Sequence, residues 1–434
     1  MSGKAALILV IGFSLIYLLI AHFWNSVTKR AVINNTEYFS GTVAHNIAVS
    51  GANIKLNKIY LGGWSPDPVT RSFERGNMSV TAAETDTMTR IITSVGTFNG
   101  STRTVIVKTM RSSFAKYAWF TGSVSSSKIF ITGDTIWGGM HSNQRLNIEG
   151  SPVFFGKVTT SKGLSPSPFQ MLRNGYHPQF LGGYGTGVSV EFDNNYQFQA
   201  QRSAAISAGR YFTNTDVWLT FYSDGTVSYR TGIGNDSSTY TAPIRTPIST
   251  LTSNGVIFAD KGNIYLSGTL KGEVTVVADQ SSGTGGGNVY FVDNMTYSTE
   301  PMIRTSISDY TPNENCTDLM GVLASNNAVV ATAVSNSGKL NNVINKDINI
   351  DAGIFCAKGG LTVENWTDVP GPAGVFTLRG SMIAGTEEKI AILNNSHVLV
   401  KGYKRRVIFD ERFYVKAPLY FPLSSEYNIV SWLE

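Results

Sequence analysis

The segment from Ala5 to Trp24 carries no Asp, Glu, Lys or Arg, and it limits every other reading of the chain. A helix rises about 1.5 Å per residue, so roughly 20 apolar residues match the hydrocarbon core of a bilayer. A cleaved secretory leader would have an apolar core of roughly 7–15 residues and a small-x-small cleavage site. Here the run ends Ala21-His22-Phe23-Trp24-Asn25-Ser26, without that pattern. A helix buried in a soluble core seldom runs this long without a charged face. The expectation is a retained membrane helix, with Ala5, Leu9, Gly12, Leu15 and Leu19 among its anchoring positions.

Lys4 precedes the run, and Lys29 and Arg30 follow it, so flanking charge does not decide orientation. Composition does. Only 15% of the 434 residues are charged and 43 are Gly, which favours short strands joined by tight turns over helical bundles. Such a body suits export, with the amino terminus inside. The net charge of +5 is small for this length and scattered apart from Lys404-Arg405-Arg406, which argues against nucleic acid as a partner. Cys316 and Cys356 form no Cys-x-x-Cys motif, so a cysteine zinc site is not expected. They either pair outside the cytoplasm or stay as buried thiols.

Beyond the apolar run, Ala44, Ile47, Ala48, Gly51, Ala52 and Ile54 recur near helical spacing, so the helix is expected to continue. Their small size invites close approach, either by a partner helix or by the chain's own body. Gly and Pro in residues 61–68 then end it. Alternation over Asn77–Ala82, Thr89–Phe98 and Thr102–Met110 predicts an antiparallel meander, with Asn99-Gly100 at a hairpin turn.

From Phe114 the texture changes: an aromatic link, Phe114–Phe120, leads into apolar strings of about four to six residues bounded by Gly and Asn corners. Ile129–Asp134, Leu146–Gly150, Val256–Ala259, Val274–Val277 and Ile348–Phe355 are examples. No helical run separates them, which leaves a β-sandwich or a parallel β-helix of stacked rungs. The scarcity of Asn-Gly and Asp-Gly hairpins favours the parallel β-helix. Trp218–Arg230, with Asp224-Gly225 at its turn, reads as a hairpin within an insert. Ile429–Trp432 reads as a closing strand that caps the last rung. The fold class expected is mainly β with a long N-terminal α-helix, a small antiparallel meander and a parallel β-helix. The boundaries are 1–60 for the membrane and extended helix, 61–120 for the meander, 121–165 for the first part of the β-helix, 166–250 for the inserted hairpin domain, and 251–434 for the second part with its cap.

Several stretches resemble known bacterial envelope proteins. The leading helix after Gly3-Lys4 and the meander Arg90–Gly100 with Arg103-Thr104-Val105 are similar to type IV pilus assembly proteins of the PilX kind and to other minor-pilin-like proteins. Gly133–Gly150, Asp347–Gly380 and Tyr420-Phe421-Pro422 resemble the uncharacterised domain DUF4900. Type IV pilins carry a Glu five residues after the processing Gly; here that position is Ile8. The resemblance implies a cell-envelope location, an inner-membrane anchor with an exported body or a surface position, and pilin-like or envelope subunits as partners through the N-terminal helix.

No reactive constellation stands out. The histidines form no His-x-x-x-His pair, and there is no Gly-x-Ser-x-Gly elbow or phosphate loop. His141, within Gly138–Asn143, reads as a polar turn on a rung before it reads as a base. Asp134, Asp260, Asp279, Asp347 and Asp351 are the carboxylates that a polysaccharide-cleaving groove would need to bring together, since glycoside hydrolysis needs two of them roughly 5–10 Å apart. The expectation is a non-enzymatic surface-structure component with no cofactor and no metal. The alternatives are a tethered β-helix that binds or cleaves polysaccharide, and a scaffold that polymerises by end-to-end rung stacking.

Overall fold

The computed structural model describes residues 3–61, 65–85, 89–123, 130–234, 240–280, 285–332, 334–335, 338–339, 341, 343–365, 371–394 and 398–434. The chain is mainly β behind one long helix, α1 (Gly3–Tyr60), and it divides into two compact units. One unit is Met1–Ser112 with Ser425–Glu434; the other is Ser113–Ser424.

In the first unit, α1 lies on an antiparallel sheet of β1 (Val69–Phe73), β2 (Gly76–Glu84), β3 (Thr89–Phe98) and β4 (Ser101–Ser113). The predicted hairpin is present. Phe98 pairs with Ser101 across Asn99 (φ 44°) and Gly100 (φ 80°), the two left-handed residues that a two-residue turn with the right twist requires. A second two-residue turn, between β1 and β2, is made by Glu74 (φ 52°) and Arg75 (φ 62°). Neither residue is a turn former, so no local signal marked it.

The small stripe on α1 packs on this sheet. Ile47, Ala48, Ala52 and Ile59 are buried with Met78, Val80, Ile92, Val105 and Val107, and Ala44 is buried on the same face of the helix. The approach is close enough that a Cβ on Gly96 would lie 2.1 Å from the Ala44 carbonyl oxygen and 2.6 Å from the Ala48 nitrogen. A Cβ on Gly51 would lie 2.3 Å from Ser94 Oγ. Gly96 therefore lets sheet and helix backbone meet, and Gly51 leaves room for the side chains of the sheet.

The closing strand corrects one expectation. Leu423–Leu433 adds to the β4 edge of the antiparallel sheet, and Ser425–Glu434 belongs to the first unit, so this strand does not cap a rung. Its Tyr427 and Trp432 pack on the same core as α1, and Asn428 Nδ2 donates to Ser112 Oγ at 2.8 Å. The free edge of a four-stranded meander is the nearer unpaired surface for it.

The second unit is a parallel ladder. Its strand line runs from Gln179–Phe180 through Val153–Phe154, Thr135–Trp137, Leu399–Phe409, Pro372–Thr386, Ile348–Cys356, Leu319–Ala324, Glu273–Asp279 and Val256–Asp260 to Arg210–Thr213. A second line runs beside part of it, from Tyr184–Thr186 through Val158–Thr160 and Met140–Ser142 to Trp119–Ser123. Chain order and ladder order differ. The chain enters mid-ladder at Trp119–Ser123, runs out to one end at residues 179–186, and restarts at the other end near residue 210. It then works back until Pro372–Thr386 and Leu399–Phe409 meet the entry strands. Residues 166–250, expected as an insert, are thus shared between the two ends. The hairpin predicted there exists, with Trp218 opposite Arg230, and its first strand also pairs parallel with Ile264–Leu270.

Replacing Gly96 with Ala is expected to unfold the α1–sheet contact, because the colliding atoms are helix backbone and cannot rotate away. Gly100→Ala meets open space and bears only a left-handed strain of roughly 1–2 kcal/mol. Pulse proteolysis in urea of the detergent-solubilised chain should show G96A losing protection of the meander at lower urea than G100A.

Candidate functional site

Residues 3–39 of α1 lie almost wholly exposed, whereas one face of residues 40–59 is buried. Ala5, Leu9, Gly12, Leu15 and Leu19 all fall on the exposed part, and Ala44, Ile47, Ala48, Gly51 and Ala52 on the covered face. By length and composition α1 is able to cross a membrane. At about 1.5 Å per residue the full helix is about 87 Å long, far more than a bilayer needs. Lys58 sits in the last turn, where its charge meets the negative helix end. Buried Lys55 reaches past that turn and donates from Nζ to the carbonyl oxygens of Ser65 and Asp67. Burial, with Lys58 nearby, pushes its ammonium below the usual lysine range, and Asp67 acts the other way.

Of the five candidate carboxylates, Asp260 and Asp279 lie together and share one Arg, and Asp134, Asp347 and Asp351 are engaged separately. Asp134 accepts from Arg405 Nη1 at 3.0 Å and from the Arg405 and Ile131 backbone N–H groups at 2.7 and 3.0 Å. The other arm of Arg405 reaches Glu387 at 3.1 Å, and Glu387 also accepts from Trp119 Nε1 and Thr121 Oγ1, each at 2.9 Å. All three charged groups are buried. Burial pushes the Asp134 carboxyl up while the Arg405 charge and hydrogen bonds hold it down. Asp260 and Asp279 lie side by side in register, and Arg202 bridges them at 2.9 and 2.6 Å. Asp351 takes Arg379 Nε at 2.7 Å and the Tyr297 N–H at 2.9 Å, with burial raising its carboxyl against that pull. Asp347 accepts from the Val375 N–H at 2.8 Å. Arg405, Arg202 and Arg379 went unread in the sequence as partners, because each lies 28 or more residues from a carboxylate it meets.

His141 is fully buried, stacked on Phe120, and bonded to Thr159 Oγ1 at 2.8 Å and Asn143 Oδ1 at 2.9 Å. Its polar atoms serve the rung. Among the described residues no group of three or more His, Cys, Asp or Glu side chains is placed to hold a metal. One polar depression, about 640 Å³ over Thr220, Ser267, Asp293, Asn349 and Arg379, has no aromatic ring in its lining. A sugar-cleaving groove would need converging carboxylates, and the lining holds one, Asp293.

A family model matches here. Residues 73–163 match DUF4900, a domain of unknown function. The DUF4900 stretch covers β2–β4 of the meander and the first outward-running strands as far as Val158–Thr160, including Gly133–Gly150. Asp347–Gly380 and Tyr420–Pro422 lie outside it. No curated protein matches the chain. Among solved structures, the competence-associated pilin ComZ from Thermus thermophilus aligns over 85% of this chain and 86% of that one, at 12% identity and a TM-score of 0.38. A likeness of that size carries no argument.

Both cysteines are free and buried. Burial pushes the Cys356 thiol up to about 12 and raises Cys316 as well. The thiolate is the reactive form, so neither should react with a maleimide in the native protein at neutral pH, and both should react in denaturant. Mass spectrometry after labelling reads this directly. Arg405→Leu leaves Asp134 and Glu387 buried without their cation and is expected to cost about 3–5 kcal/mol, read as a lower urea midpoint. Arg245→Ala, which removes an exposed pair with Asp224, should leave the midpoint unchanged.

Proposed function

We propose that the chain is a non-enzymatic, membrane-anchored bacterial envelope protein and a component of a pilus-like or other cell-surface structure. One observation carries this reading: a single helix has two environments. Its first part exposes the charge-free apolar surface Ala5–Trp24, which no described residue buries, and its last part is bound to a sheet. Exposed apolar area on that scale needs lipid or other apolar helices. Within the bilayer the helix is free to pack beside helices of other pilin-like subunits, and its distal end carries the meander out of the lipid. The exported body reads as a parallel β-coil, with Asp134, Asp260, Asp279 and Asp351 committed to Arg pairs. That assignment supports a structural role over polysaccharide cleavage.

Leu15→Arg combined with Leu19→Arg places two guanidinium groups near the middle of the apolar run, at roughly 2.5–3.5 kcal/mol each. The variant should leave the carbonate-resistant membrane pellet and appear in the supernatant, while the parent stays in the pellet. Recovery of the parent chain from the soluble fraction without detergent would overturn the reading. Amino-terminal sequencing of membrane and sheared-surface fractions separates its two forms. A new terminus at Lys4 supports a processed pilin-like subunit, and an intact Met1 supports a permanent anchor.

A further inference from the structure

Between Val289–Tyr297 and Leu319–Ala324 the chain leaves the ladder and forms a small hairpin, Met302–Arg304 paired antiparallel with Tyr310–Pro312. The tip of this arm does not stay beside its own rung. It lies against Trp137, whose strand is four places along the ladder from Leu319–Ala324, about 19 Å away at the usual strand spacing. There the Tyr310 ring meets Trp137 edge to face at 5.2 Å, and Trp137 Nε1 donates to the Ser308 carbonyl at 3.0 Å. Trp137 also stacks on Phe155 at 4.4 Å. Rung stacking requires no such arm, and its Ile303 and Ile307 are exposed rather than packed. The arm instead walls off a cavity of about 230 Å³, with Trp137 and Phe155 on the ladder side and Phe409 and Glu411 at the turn beyond.

Two kinds of group line this cavity. Trp137, Phe155, Tyr310 and Phe409 supply aromatic surface, and Asp309 and Glu411 supply carboxylates; none of the lining residues is Lys, Arg or His. Among the described residues neither carboxylate makes a hydrogen bond or an ion pair. The neighbouring arginines are turned to other partners. Arg304 donates to the Ser306 and Ile307 carbonyls, Arg379 holds Asp351 and Glu300, and Arg412 holds Asp410. Exposed Lys157 lies outside the lining. Ionised carboxylates only accept hydrogen bonds, and an ammonium only donates them. Aromatic faces attract a cation as well, and in the edge-to-face pair of Tyr310 and Trp137 one ring gives its edge and keeps its faces for other neighbours. A neutral hydroxylated ligand leaves both charges unmatched, and an anion is repelled. We infer that the cavity binds an alkylammonium group, with Asp309 and Glu411 accepting from its nitrogen and the rings packing on its stem. A lysine side chain of another protein and a free amine share this chemistry.

The test is a titration of the full chain, in detergent micelles, with butylammonium chloride, read by tryptophan fluorescence against sodium chloride and 1-butanol as controls. The parent should give a saturable change with butylammonium alone, and Trp137→Phe should remove that signal. Asp309→Asn combined with Glu411→Gln keeps the shape of the cavity and removes its charge. It should weaken binding roughly tenfold while leaving the urea midpoint at the parent's value, since both carboxylates are exposed. Nα-acetyl-lysine amide binding as well as butylammonium assigns the cavity to a lysine side chain, and binding of butylammonium alone assigns it to a free amine. No saturable response in the parent, an equal response to 1-butanol, an undiminished signal in W137F, or unchanged affinity in D309N/E411Q would each overturn the proposal.

Discussion

The parallel body depends on a seam. Because the chain enters mid-ladder and returns to the same place, Met382 pairs with Trp119 and Arg406 with Thr135. Each of these closures orders a loop of more than 250 residues. The entropy of closing a loop grows only with the logarithm of its length, but it is repaid only when the last contacts form. The Arg405–Asp134–Glu387 cluster sits at this junction, with Trp119 and Thr121 donating to Glu387 from the entry side. Buried charges of this kind select register, since a one-residue slip leaves a carboxylate in the core without its cation. The seam sets which strands lie next to which, and the remaining rungs stack outward from it.

The first unit solves a different problem. A helix that is charge-free along one part and docked along another needs a surface that admits backbone at close range. Gly96 on β3 provides this, Gly51 on α1 leaves room for the side chains of the sheet, and Ala44, Ala48 and Ala52 keep the interface thin. The sheet that receives the helix is completed by the far end of the chain, through Leu423–Leu433. Both termini therefore belong to one unit, and the ladder is a long excursion between them.

The carboxylates follow one pattern. Asp134, Asp260, Asp279 and Asp351 lie at strand ends or within strands, and each faces an Arg from a different strand or helix. In a stack where side chains repeat above one another, Asp260 over Asp279 would repel, and Arg202 sits between them and offsets that repulsion. The Asp residues that looked like candidates for catalysis act as fasteners between rungs.

Much of the local structure was legible in the residues. The charge-free run Ala5–Trp24 and the small stripe from Ala44 to Ala52 marked the helix, because period and composition act over a few turns. Asn99-Gly100 and Asp224-Gly225 marked two hairpins, because left-handed backbone is a property of the residue itself. Short apolar strings bounded by Gly marked a stacked β body. The tertiary structure alone decided the order of the rungs, the Arg assigned to each Asp, and the destination of the closing strand. It also imposed the left-handed turn at Glu74-Arg75. These outcomes rest on contacts between residues tens to hundreds apart, and a strand of a few residues carries too little pattern to name its neighbour. What a segment can become was written in its own side chains; what it lies against was settled only when every other segment had found its place.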